Sequence, residues 1–323
     1  MAREASKGGG PIWRYDTEWG IWVEDGVPWL EKALLHNAGE KTLSGMLHQV
    51  VRLMNARSYI DADEFEEDER YIVIENGTLS LDDLKIVSNN SDYNQKNKLP
   101  VKYDPEADCP NIKKFLSEVL PDDTGFIQEW FGYHLWKNNK MQKIFLFQGV
   151  GANGKSTLLN LLTAFLGKEN ISNQNMQNLT INRFSLAELY GKLANVAADI
   201  SSDEIKKTGT LKMLSGEDRI TAEKKNQDPF TFHNKAKITF SCNQVPTTPD
   251  ESEAFFRRFY MIRFQQVFDD SQRDENLISK LTTPEELSGL LNYALDGLDR
   301  LKKNGRFSES KDTATIRQLY MNM

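Results

Sequence analysis

The sequence predicts an α/β fold with a mostly parallel central sheet, on three observations. Gly149 to Ser156 fits the spacing G-x-x-x-x-G-K-[ST] of a loop that cradles nucleotide phosphates. The apolar run Ile144-Phe145-Leu146-Phe147 precedes it as a buried strand, and Lys155 to Leu166 follows as a helix with a broad apolar face, closed by Gly167. Downstream, short apolar strands alternate with helical segments, the pattern of a sheet covered on both faces with ligands at the strands' carboxyl ends.

A chain of 323 residues has room for about two domains. With 39% apolar residues it can build ordinary cores. A net charge of -7 argues against wrapping nucleic acid over the whole surface, though not against a local basic tract. Cys109 and Cys242 lie far apart and suggest a reducing compartment. The four histidines are scattered without metal-ligand spacing. No apolar run reaches membrane-spanning length, and no signal peptide is visible, so a cytoplasmic location is expected.

Residues 1–11 are small, polar and glycine-rich and read as a linker, a fragment boundary or a cloning remnant. Ile12 to Leu30 carries Trp13, Trp19, Trp22 and Trp29 and reads as a strand–turn–strand unit; the aromatics either pack a core or stack bases. Leu43 to Arg57 has helical spacing, and Asp61 to Glu69 is an acidic stretch that reads as a solvated loop or helix face. Tyr71 to Ile74 is a strand turned by Asn76-Gly77 into Thr78 to Leu81. Pro110 opens a helix, and Phe126 to Trp136 forms another that leads into the phosphate-loop strand. Beyond the loop, strands are expected at Leu193 to Ala198, Ala236 to Cys242 and Phe259 to Phe264, with a helical turn at Leu211 to Leu214 and a hairpin from Arg219 to Phe232. Thr283-Pro284-Glu285-Glu286 has the form of a capping box before a long helix with a leucine stripe. These readings divide the chain into residues 1–11, an N-terminal α+β domain over 12–125, a motor core over 126–268 and a helical segment over 269–323.

The phosphate loop assigns chemistry to its residues. The backbone of Gly149, Val150, Gly151, Ala152, Asn153 and Gly154, with Thr157 beyond, turns N–H groups toward one point at a helix N-terminus. Lys155 reaches the β- and γ-phosphates, and the Ser156 hydroxyl holds Mg²⁺. Asp199 follows an apolar strand, where a carboxylate either serves the Mg²⁺ shell and the attacking water or caps a turn. Asn243 ends the next strand and either orients the lytic water or forms a turn. Arg257-Arg258 is either a finger for a neighbouring subunit's nucleotide or a surface pair. The hairpin region holds Arg219, Lys224, Lys225, Lys235 and Lys237 against Glu223 and Asp228, with Lys224 and Lys225 near the tip, where they can grip DNA phosphates.

The segments GVGANGKST, LANVAADI, LKMLSGEDRITAEKKNQDPFTF, KITFSCNQVP and AFFRRFYMIRF resemble, in order, the motifs of a superfamily 3 helicase, and more closely the helicase module of phage, plasmid and poxvirus-type primase–helicases. The upstream segments YIVIENGTLSLDDL and NKLPVKYDPEADCPNIKKFLSEVLP resemble the domain that precedes the motor in those proteins. The resemblance implies an AAA+-like P-loop motor that uses ATP and Mg²⁺ and acts as a ring, usually a homo-hexamer, on single-stranded or forked DNA. It implies a host-cell role in replicating a phage, plasmid or viral genome, and that the chain is the helicase fragment of a protein with a primase or polymerase domain. Lys155 and Asp199 then fall on the catalytic positions, Asn243 on the sensor, Arg257 or Arg258 on the trans-acting finger, and Lys224 and Lys225 on the pore hairpin. Lys212 matches a basic family position whose role stays open. Ala198 stands where the family often has a second acid, which either comes from Asp203 or Glu204 or is missing. A nucleotide-switched initiator or loader, a double-stranded DNA translocase and an RNA motor are the alternatives.

Overall fold

The computed structural model describes residues 2–4, 11–38, 43–57, 59–60, 65–205, 207–250, 252–269, 271 and 274–308. The chain forms two compact units, Met1–Val73 with Gly77–Lys98, and Ile74–Asn76 with Leu99–Met323.

In the first unit, β1 (Ala2–Glu4), β2 (Ile12–Asp16), β3 (Ile21–Val23) and β4 (Tyr59–Ile60) form one sheet in the order β3-β2-β1-β4. Residues 2–4 therefore belong to the fold, against the expectation of a linker. They are short and carry no glycine, and β2 offers them a ladder, with Ala2 opposite Trp13. The glycine run that prompted the linker reading lies outside the described residues. Helices α1 (Gly26–Ala38) and α2 (Leu43–Arg57) follow. Two of the four tryptophans take the core-packing role. Trp13 is buried and Trp22 partly so, and both meet the ring of fully buried Phe65 edge-on at 5.7 and 5.2 Å. Trp19 and Trp29 are exposed. Of the acidic stretch, residues 61–64 lie outside the described residues; Glu67 accepts the Lys96 amide and Asp68 pairs with Arg70, as a solvated loop would. Strands β5 (Tyr71–Ile74), β6 (Gly77–Ser80) and β7 (Ile86–Val87) make a small meander.

The second unit is built on a five-stranded sheet in which every pair is parallel. Its strands are β8 (Ile144–Gln148), β9 (Ile171–Ser172), β10 (Ala194–Ala197), β13 (Lys237–Cys242) and β14 (Phe259–Arg263), in the order β14-β8-β13-β10-β9. The central strands are buried along nearly their whole length, as continuous apolar runs between two helical layers must be. Between β10 and β13 lie α8 (Gly209–Leu214) and the antiparallel hairpin β11 (Arg219–Ala222) and β12 (Phe230–His233). The remaining helices are α3 (Pro110–Val119), α4 (Thr124–Leu135), α5 (Lys155–Leu166), α6 (Met176–Ile181), α7 (Arg183–Ala187), α9 (Glu253–Phe256), α10 (Leu277–Leu281) and α11 (Pro284–Asn304).

Helices α3 and α11 pack with α4 within this second compact unit. A Cβ at Gly297 would sit 2.2 Å from the Gln128 carbonyl, so the two long helices approach backbone to backbone. Fully buried Glu129 binds Arg300 at 2.7 Å, and Ser308 through its amide at 2.6 Å and its hydroxyl at 2.7 Å. The expected capping box is only half present. Thr283 accepts the Glu286 amide at 3.3 Å, but the Glu286 carboxylate turns away from its own helix and caps α3, accepting the amides of Asn111 and Ile112.

Candidate active site

Strand β8 ends at Gln148 and the chain turns through Gly149–Gly154 into α5. The turn needs backbone that most residues resist. Ala152 has φ +60° and Gly154 φ +84°, where a side chain would also meet Val119 Cγ1 at 2.5 Å. The loop is pinned from both sides: Gly149 donates to the Cys242 carbonyl at 3.1 Å and Phe268 to the Ala152 carbonyl at 2.9 Å. Asn153, buried, donates to the carbonyls of Val150 and Phe264. Its Oδ1 accepts from Lys155 Nζ at 3.1 Å, and that ammonium also bonds the carbonyls of Gly149 and Val150. Burial lowers the pKa of Lys155 from its ordinary value, with Asp199 pulling the other way. A buried cation whose hydrogen-bond partners are three neutral oxygens fits an anionic ligand, as does the exposed Ser156 hydroxyl beside it a phosphate-bound Mg²⁺.

Register sets the rest of the site. Leu146, Phe240 and Ala197 stand side by side across β8, β13 and β10. Asp199 and Asn243 therefore leave the sheet at the same carboxyl edge as the phosphate loop. Asp199 has φ +52°, an uncommon conformation for a residue with a side chain, held by Ile200 donating to the Ser241 carbonyl at 2.9 Å. Asn243 is exposed directly after Cys242, whose register partner is Gln148. A cleft of about 580 Å³ opens beside the loop, with Ser156, Asn160, Asn173, Gln177, Asp199 and Ser201 on its walls. Asp203, one of two candidates for a second acid, is exposed and accepts from Ser201 Oγ at 2.7 Å, while Glu204 is also exposed. Among the described residues no group of three His, Cys, Asp or Glu gathers. A Mg²⁺ here would draw on Ser156 and Asp199, with phosphate oxygens and water completing its shell.

Arg257 and Arg258 stand at the other edge of the sheet. Phe259 is opposite Ile144, the first residue of β8, and the Arg258 carbonyl accepts the Ile144 amide at 2.7 Å. The five residues of β8, at about 3.3 Å each, separate them from the phosphate loop by roughly 16 Å. Arg257 is exposed, with Nη2 3.2 Å from Gln142 Oε1; Arg258 is half-buried, and burial together with Arg257 lowers its pKa.

The hairpin is as expected, its basic inventory less so. Lys225 is exposed at the tip, and Lys224 Nζ lies 5.9 and 6.0 Å from the rings of Tyr190 and Phe230. Lys237, counted in the basic charge of the hairpin region, is not available to solvent. It is 1% exposed, and its ammonium binds the carbonyls of Trp136, Asn138 and Lys235 at 2.6 to 2.8 Å. Nothing in the alternation of its strand distinguishes it from an exposed lysine. Lys212 gains a partner, Asp250, at 2.6 Å. Burial alone would raise the Asp250 pKa, but hydrogen bonds from Lys212, Ser252 and Thr208 hold it well below the usual carboxylate range. Sequence reading passed over Asp250 and Ser252; the only local signal was a serine three residues before Phe255, the spacing of an N-cap.

Residues 147–258 match a family described as "Family of unknown function (DUF5906)", and residues 2–121 match "D5 N terminal like". A candidate helicase of Acanthamoeba polyphaga mimivirus, L207/L206, is 30% identical over 168 residues, 49% of this chain and 17% of that protein. A candidate helicase of Invertebrate iridescent virus 3, 121R, is 25% identical over 228 residues, 64% of this chain and 24% of its own length. A third, V13 of Sputnik virophage, is 27% identical over 187 residues, 51% of this chain and 24% of V13. The chain thus spans no more than 24% of the length of these relatives. The apo structure of the NrS-1 C-terminal region shares its fold, with TM-score 0.56 and 18% identity over 86% of this chain and 66% of that one. In motif order and in its viral relatives this chain is similar to the superfamily 3 helicase modules of primase–helicases, and its parallel sheet shares the fold of the NrS-1 region.

Proposed function

We propose that this chain is the motor of a viral or phage replication helicase acting in the host cell. It hydrolyses ATP between adjacent copies of a ring, a homo-hexamer by family resemblance, and the energy moves single-stranded DNA past the hairpin. The full-length protein would carry a primase or polymerase domain as well.

The observation that carries this reading is the division of catalytic groups between two edges of one sheet. The phosphate loop, Asp199 and Asn243 share the carboxyl edge, while Arg257 and Arg258 stand about 16 Å away, at the amino edge. One copy therefore cannot bring its arginines to its own nucleotide. A neighbour's can neutralise charge developing on the γ-phosphate. Lys155 binds the β- and γ-phosphates after giving up its three loop oxygens. Asp199 accepts a proton from, or aligns, the attacking water, and Asn243 orients that water without adding negative charge. Bound Mg²⁺ supplies charge neutralisation at the phosphate oxygens. Lys225, with Lys224 behind it, contacts DNA phosphates independently of sequence.

Strand displacement on forked DNA, forked RNA and blunt duplex, run beside ATP hydrolysis and mass measurement of the assembly, tests the reading. Lys155→Ala should abolish hydrolysis and displacement together. A chain that stays monomeric with ATP and DNA yet turns over at full rate would sink the shared site. Nucleotide-dependent assembly with slow turnover and no displacement would identify a loader instead.

A further inference from the structure

Residues 136–143, Trp-Lys-Asn-Asn-Lys-Met-Gln-Lys, carry three lysines and no acid in a chain of net charge -7. They lead into the amino end of β8, and the segment is held in place at several points. Asn139, buried, donates to the Asn234 carbonyl at 2.8 Å, directly after β12 at the base of the hairpin. Lys237 donates to the carbonyls of Trp136 and Asn138 at 2.7 and 2.6 Å. The Trp136 indole is half-buried and meets the ring of fully buried Tyr133 edge-on at 6.4 Å.

Two ammoniums face this one ring. Lys302 Nζ, from the last turn of α11, lies 5.4 Å from its centroid, and Lys140 Nζ lies 5.8 Å from it. The two charges are therefore at most about 11 Å apart. Both lysines are exposed, and among the described residues neither ammonium has a hydrogen bond or a carboxylate partner. The carboxyl end of a helix suits a lysine at 302. It does not account for Lys140, which belongs to no helix and reaches the same ring from another part of the chain, while Lys303 is already paired with Asp299 at 2.6 Å. A ring face attracts each ammonium weakly at an exposed site, and the two ammoniums repel one another. A polyanion that spans them turns this repulsion into attraction.

We propose that Lys140, Trp136 and Lys302 form a second contact for single-stranded DNA, apart from the hairpin tip and independent of sequence. This rests on the reading above that the chain acts on DNA. The ammoniums take backbone phosphates; a strand carries one per nucleotide, so a few nucleotides span the pair. The exposed part of the indole takes a base, the combination of aromatic ring and basic neighbours that sequence-tolerant single-strand sites use. Because Asn139 ties the segment to the base of the hairpin, a strand leaving Lys224 and Lys225 finds this contact at the hairpin's other end.

Fluorescence anisotropy of labelled oligo-dT, and of a duplex of equal length, across a salt series tests the contact on the full chain. Lys140→Ala combined with Lys302→Ala should reduce the slope of log K against log salt for oligo-dT by about 1.4, at about 0.7 for each phosphate released. Basal ATP hydrolysis and the mass of the assembly should not change. Lys140→Arg with Lys302→Arg, which keeps both charges, should hold the wild-type slope. Trp136→Phe should remove part of the quenching of tryptophan fluorescence that oligo-dT causes. Adding Lys224→Ala and Lys225→Ala to the double alanine variant should lower the slope further, because the two contacts are separate. A wild-type slope for the double alanine variant, or quenching unchanged by Trp136→Phe, overturns the contact and leaves the hairpin reading standing. A loss confined to the duplex, or one that follows a fall in assembly mass, overturns it as well. If wild type itself binds no oligo-dT, the DNA reading fails and this contact falls with it.

Discussion

Asn153 Oδ1 lies 3.1 Å from Lys155 Nζ, while the same side chain's amide holds the carbonyls of Val150 and Phe264. One buried residue thus ties Lys155 to the loop and to the end of β14. Asn153→Ala removes those ties without touching the glycines. The loop must then be ordered by the ligand, at a cost of about 1–2 kcal/mol, so KM for ATP should rise roughly 5- to 30-fold. Nucleotide titration of Asn153→Ala with unchanged affinity would show that the pin does not preorganise the loop.

The two tip lysines should separate by method. Lys225→Ala should weaken single-stranded DNA binding and reduce the slope of log K against log salt by about 0.7, with no change in melting temperature. Lys224→Ala should reduce the slope and also lower the melting temperature, because its ammonium faces Tyr190 and Phe230. The double variant should retain basal ATP hydrolysis and lose displacement. Fluorescence anisotropy across a salt series decides the matter: equal slopes for wild type and double variant would remove the hairpin from DNA contact.

Lys237→Ala should leave that salt slope unchanged and destabilise the fold, since three carbonyls lose their donor inside the protein. A loss on the order of 3 kcal/mol is expected from urea denaturation at constant m-value. A stable variant with a reduced salt slope would show instead that Lys237 contacts DNA.

Glu286→Ala should destabilise by on the order of 2–3 kcal/mol, because the amides of Asn111 and Ile112 lose a charged acceptor in a nearly dry site. Exposed Glu285→Ala is the control and should move the urea midpoint little. Comparable losses in the two variants would mean that helix-dipole charge, not the α3 cap, sets the effect.

Acid stability should depend on His134. Burial lowers its pKa from 6.5 to about 3, while its ring sits 2.7 Å from the Trp130 carbonyl. Between about pH 3 and 6.5 the unfolded chain therefore binds the extra proton and the native chain does not. Stability rises with pH across that window and is lost on acidification, by at most about 1.4 kcal/mol per pH unit. His134→Gln, which cannot titrate, should flatten melting temperature against pH from 4 to 6.5; an unchanged slope would assign the acid sensitivity to other groups.

Elements with strong local periodicity were legible before any coordinates. The strand, loop and helix from Ile144 to Leu166 match their expected bounds within a residue, and the hairpin falls where its flanking turn residues put it. The residues between them follow from α/β alternation, which also sets Asp199 and Asn243 after parallel strands. What escaped were partnerships: β1 as a paired strand, Glu286 serving a different helix, Lys237 capped by carbonyls, and Lys212 bound to Asp250.

The chain by itself determined which segments form strands, helices and the phosphate loop, because hydrophobic period and glycine placement act over a few neighbouring residues. Only the tertiary structure decided which carboxylate meets which amide and at which edge of the sheet each charged group emerges. Those outcomes depend on strand order and register, which bring together residues as far apart in sequence as Asn111 and Glu286, and no local pattern encodes such a meeting.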